Sequence, residues 1–62
     1  MENLFGHQLP FTVETKCATV LDADGIVVAD MYHVDGDEDA AENANALCAL
    51  FVEAAHKKAG IA

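Results

Sequence analysis

Six acidic side chains, Asp30, Asp35, Asp37, Glu38, Asp39 and Glu42, fall within thirteen residues with no basic residue among them. Carboxylates at this density can hold a hard cation, cap a helix or present phosphate-like charge to a basic surface. Spacing decides the first. Asp35, Asp37 and Asp39 alternate as in the opening of an EF-hand loop, but the sixth position is Ala40 instead of glycine and the twelfth is Ala46 instead of a bidentate glutamate. Asp22-Ala23-Asp24-Gly25 starts a similar run whose twelfth position is His33. Turn chemistry explains both runs, and no metal is expected.

The soft ligands and nucleophiles are Cys17, Cys48, His33 and His56. No CxxC or HxxxH spacing joins them, so a zinc site is not indicated. Cys17 alternates with Phe11 and Val13, and Cys48 lies near a helical apolar stripe. Both read as small buried hydrophobes, close enough across a helix–sheet interface for contact. Cysteine–histidine catalysis would also need a cleft, an oriented base and oxyanion donors. The chain has no serine and no glycine-rich phosphate loop. No enzyme, no catalytic residue and no cofactor is expected.

The elements that would position the acids read as a hairpin followed by a helix. Residues 1–10 form a leader ending at Pro10, which lacks an N–H and suits the approach to a strand. From Phe11 the residues alternate and β-branched types are frequent, which predicts a strand to about Leu21. Asp22-Ala23-Asp24-Gly25 supplies turn chemistry, and a second β-rich run extends from Ile26 to His33. Asp39 with Glu42 three residues later matches a capping box, and the helix then runs over 39–58. Lys57 and Lys58 suit its last turn, and Gly60 can end it. The expected fold is α+β, a ββα unit over 1–62, with a stripe led by Leu47 and Phe51 laid on the hairpin. Ile26-Val27-Val28-Ala29 is apolar on both faces, so the uncovered face needs Leu4, Phe5 and Leu9 or a second copy. A homodimer is the expected solution.

Sixty-two residues make one domain, and a core of this size contributes only ~3–5 kcal/mol without help. Net charge is −8, arginine is absent, and Lys16, Lys57 and Lys58 are the only lysines. Nucleic-acid binding needs clustered Lys or Arg, so direct contact with DNA or RNA is excluded, and anionic membranes are disfavoured. A basic protein surface is the complement. No signal-peptide pattern and no apolar run of ~20 residues is visible, so cytoplasmic residence with reduced thiols is expected.

Phe11-Thr12-Val13, Val20-Leu21-Asp22-Ala23-Asp24-Gly25, Val28-Ala29 and Glu42-Asn43-Ala44-Asn45-Ala46-Leu47 together resemble a group of small uncharacterised phage and prophage proteins. Those proteins show a strand, a D-x-D-G turn, a V-A strand and a helix opening with N-A-x-L. The resemblance spans Phe11 to Phe51. It implies no catalytic residues, but it implies a setting in which small acidic proteins inhibit host defence, as anti-CRISPR and anti-restriction proteins do, several by imitating DNA. The expected function is a non-enzymatic inhibitor occupying a basic, nucleic-acid-binding surface of a host protein. Asp30, Asp35, Asp37, Glu38 and Glu42 would supply charge. Tyr32 is a candidate anchor, though an aromatic on a strand is equally ordinary core. The alternative is a structural or regulatory homodimer working through its apolar sheet face.

Overall fold

The computed structural model of the chain describes residues 2–61; Met1, at the head of the expected leader, and Ala62 lie outside them. The described residues form an α+β fold of two small antiparallel sheets and one C-terminal helix. Strands β1 (Asn3–Leu4) and β2 (His7–Gln8) make a two-stranded hairpin. Strands β3 (Thr12–Glu14), β4 (Thr19–Leu21) and β5 (Val27–Asp30) make a meander in that order, and α1 spans Glu38–Ala59.

Two expectations about the strands need correction. The leader is structured: Phe5 and Gly6 both take positive φ (54° and 78°), the backbone a tight two-residue hairpin requires. Leu9 from this segment is buried and Leu4 packs against the core. The expected long first strand is broken into two by a turn over 15–18. Ala18 holds the left-handed conformation there (φ 50°), a place where glycine or asparagine is usual. Tertiary bonds hold this turn. Asn45 Nδ2 donates to Thr15 O at 3.0 Å, Cys48 Sγ donates to Ala18 O at 3.2 Å, and the Met31 N–H donates to Ala18 O at 3.0 Å.

The Asp22–Gly25 turn joins β4 to β5 as its sequence predicts, with Gly25 at φ 80°. Opposite residues in an antiparallel pair share a face, so Val13, Val20 and Ala29 lie together on one side of the sheet. Val20 is fully buried with Ala44 and Cys48 of the helix, which makes this the core face. Val20 pairs with Ala29 but Leu21 pairs with Val27, leaving Val28 as the extra residue of a bulge. A bulge reverses the alternation beyond it, so Val27 turns to the far face with Leu21. That face otherwise carries Thr12, Glu14, Thr19 and Asp30 and is mainly polar, not the apolar face the sequence implied.

The helix lies on the sheet through Ala44, Cys48, Phe51, Val52 and Ala55. Leu47, expected in the core stripe, is half exposed instead, and Leu50 is exposed. At 3.6 residues per turn the buried positions 44, 48, 51, 52 and 55 share one face, and Leu47 lies at its edge, roughly 80° around the helix from its centre. Cys17, expected to be buried, is exposed in the 15–18 turn, and Cys48 is buried, so both are free thiols and no bridge joins them.

The helix starts earlier than a capping box at Asp39 implies. Asp37 is the N-cap, and its Oδ1 accepts the Ala40 N–H at 3.0 Å. Glu38 and Asp39 occupy the first turn, where acids complement the helix dipole. Removing the cap oxygen by Asp37→Ala is expected to cost about 1 kcal/mol, and Asp37→Asn close to nothing, because asparagine caps as well; thermal melts of the two variants read this difference. At the other end Gly60 is left-handed (φ 79°), with its N–H bonded to Lys57 O at 3.1 Å and the Ile61 N–H to His56 O at 2.9 Å. This is a Schellman ending, as the glycine at 60 predicts.

Candidate functional site

The segment from Asp30 to Asp39 crosses from the end of β5 to the start of α1, and every candidate residue except Glu42 lies on it. Asp30 ends β5, where its Oδ1 accepts the Thr19 hydroxyl at 3.0 Å. Tyr32 follows with its side chain in solvent, 87% exposed. It is therefore not a core residue. Gly36, at φ 84°, turns the chain back toward the helix. Asp35, Gly36, Asp37, Glu38 and Asp39 line one open concavity. Glu42 lies one turn further along the helix, exposed and outside that concavity.

The acids thus divide by duty. Asp37 caps the helix, and Asp30 fixes a threonine. Asp35, Glu38, Asp39 and Glu42 make no side-chain hydrogen bond among the described residues, and no cation pairs with any of the six. Carboxylates left unpaired on one edge repel one another, and a basic partner relieves that repulsion. No group of three or more His, Cys, Asp or Glu side chains among the described residues is arranged to hold a metal ion.

Tyr32 stands between two further depressions. One, lined by Lys16, Cys17, Thr19, Asp30, Met31, Tyr32, His33 and Asp35, is mixed in character. The other runs between the crossing segment and α1, with Met31, Val34, Ala44 and Leu47 in its lining. Val34 and Leu47 were not legible as site residues: Val34 looked like a connector, and Leu47 matched the core period.

A second polar cluster, outside this region, holds the fold. Asp22 is buried. Its Oδ1 accepts the N–H groups of Asp24 at 2.8 Å and Ile26 at 2.9 Å, and His7 Nδ1 lies 2.8 Å from its Oδ2. The Ala23 N–H donates to Gln8 O at 3.0 Å, so the turn is tied to β2 twice. Burial alone would raise the Asp22 pKa, but the bonds from Ile26, His7 and Asp24 and the positive charge His7 can carry outweigh it, and the pKa falls below its ordinary 3.8. Burial, with the nearby Asp30 charge, raises the pKa of Cys48, which suits a protonated thiol donating to Ala18 O and not a nucleophile. His56 Nε2 accepts the Phe11 N–H at 2.9 Å, a role open only to the neutral ring.

No family model matches the chain, and neither a curated protein nor a solved structure shows significant similarity to it. Among the described residues no helix is long and apolar enough to cross a membrane.

Proposed function

We propose that the chain is a non-enzymatic binding protein whose acidic edge, from Asp30 to Glu42, occupies a basic surface on another protein. One observation carries this reading: a solvent-exposed tyrosine stands beside a turn whose acids, Asp35 to Asp39, share one unpaired anionic concavity. Interfaces are commonly anchored by an aromatic and steered by complementary charge. The basic surfaces most in need of an anionic partner are those that bind nucleic acid. The concrete form we favour is an inhibitor of a cytoplasmic nucleic-acid-binding defence protein, with Asp30, Asp35, Asp37, Glu38 and Glu42 imitating phosphates. An anti-CRISPR protein of phage origin would fit this description.

The triple variant Asp35→Asn/Asp37→Asn/Glu38→Gln tests it. Asparagine at 37 keeps the cap, so charge is removed without the helix start. In a pull-down from cell lysate, the wild type is expected to retain a nucleic-acid-binding protein at low salt and release it at high salt. The triple variant should not retain it. Equal retention by both would remove the acids from the interface.

A second reading, association of two copies, is favoured by a different observation. Phe5 and Leu50 are exposed beside the half-buried Phe51, whose ring centroid lies 6.4 Å from that of Phe5. With the far sheet face mainly polar, a homodimer would use this helix surface. Sedimentation at increasing concentration distinguishes a dimer from a strict monomer.

A further inference from the structure

We infer that the groove between the crossing segment and the helix receives a basic amphipathic segment of the partner, with an aliphatic side chain in the groove and Lys or Arg on the acidic turn. This rests on the binding reading above and names the chemistry of what binds.

The groove has a volume of about 410 Å³ and is lined by Met31, Tyr32, Val34, Ala40, Ala44 and Leu47, with His33 and Asn43 as its other polar members. Val34 is 60% exposed and Leu47 50%, so large apolar side chains face water on both of its sides. Val34 and Ala40 bracket Asp35–Asp39 in the chain, and those five residues line the adjoining concavity. The apolar floor and the anionic wall are one continuous stretch of backbone. The proposed ligand spans from one to the other.

Charge selects among the occupants. A second copy seated here would bring one acidic turn against another, each on a chain of net charge −8 without arginine. The lysines offset little of this: Lys57 and Lys58 lie at the far end of α1, about 25 Å from Ala40 at 1.5 Å per helical residue, and Lys16, which lines the depression with Asp30 and Asp35, is one cation against six acids. Nucleic acid is repelled by the same charge. A small apolar ligand would be left wet, since the groove is shallow and widely open to solvent, whereas ligand pockets bury most of their guest. A basic segment with an aliphatic face gains from both surfaces.

The test is an NMR titration of the isotope-labelled chain with three short synthetic peptides: an amphipathic Lys/Leu peptide, its Leu→Ser analogue and a Glu/Leu peptide. The Lys/Leu peptide is expected to shift the amides of Val34, Asn43 and Leu47 together with those of Asp35–Asp39. It should bind about tenfold more tightly than the Lys/Ser peptide, the factor expected from burying one aliphatic side chain. The Lys/Ser peptide should shift the acidic turn alone, and Glu/Leu nothing. Val34→Ser/Leu47→Ser alters two exposed side chains and should lose the Lys/Leu advantage while binding Lys/Ser unchanged. Equal affinity for Lys/Leu and Lys/Ser, with shifts confined to the acidic turn, would overturn the groove and leave the acidic-edge reading standing. Binding of neither would overturn both. Binding of Glu/Leu as tight as Lys/Leu, or shifts at Val34 and Leu47 that grow with the protein's own concentration, would also overturn the proposed occupant.

Discussion

Phe11→Ala is expected to abolish cooperative folding at 25 °C. Phe11 is 2% exposed, its ring stacks on Phe51 at a centroid distance of 6.3 Å, and His7 and His56 meet it at 6.5 and 6.1 Å. Truncating a buried phenylalanine costs about 3–5 kcal/mol, and a domain of this size has only about that much stability in total. The buried apolar set explains the sensitivity. Among the described residues it comprises Leu9, Phe11, Val20 and Cys48 with three alanines, so Phe11 is its one ring and its largest side chain. Phe11→Leu keeps most of the volume and should remain folded with a lowered melting temperature. Circular dichroism on heating checks both. A cooperative transition of Phe11→Ala within a few degrees of wild type would mean that the helix and the N-terminal hairpin are held by something else.

Asp22→Ala is expected to lower the melting temperature by on the order of 10 °C, because several backbone and side-chain donors lose one buried acceptor together. Asp22→Asn should do less, since an amide oxygen can still accept the Asp24 and Ile26 N–H groups and only the bond to His7 loses its carboxylate. The pH dependence follows from the lowered pKa of the carboxyl. The unfolded chain takes up its proton near 3.8 and the folded chain only below that. The stabilisation from Asp22 is therefore fully present above pH 3.8 and is lost as the pH falls through the folded value. The gap in melting temperature between wild type and Asp22→Asn should be present above pH 3.8 and close as the pH falls below it. Subtracting the variant removes the contribution of the other carboxylates, whose mutual repulsion also changes with pH.

The parts of this fold that were legible in the sequence are those whose causes are local. Asp22-Ala23-Asp24-Gly25 carries its own turn chemistry, Gly60 its own helix stop, and Asp39 to Lys58 its own helical preference. The break at 15–18 was not legible, because an alanine sits where glycine is usual and the bonds that hold it come from Asn45 and Cys48, thirty residues away. The structured hairpin before Pro10 was hidden for a related reason: its worth lies in rings and carbonyls that meet the helix and the Asp22 turn. At the candidate site the charge was plain, but its division of duty was not. In sequence the capping box points to Asp39 with Glu42, and only the backbone shows that Asp37 caps. The exposure of Leu47 depends on which side of the helix meets the sheet: the buried face centres on Cys48 and Ala55, and Leu47 falls at its edge.

The central claim is that the acidic edge around Tyr32 makes the interface. Its most direct test is the salt dependence of affinity for the retained partner, measured side by side for wild type and Asp35→Asn/Asp37→Asn/Glu38→Gln. The wild-type affinity should fall steeply as salt rises, and the triple variant should bind more weakly at low salt with a flatter dependence. Equal affinities with equal slopes would contradict the claim and assign the acids to solubility alone.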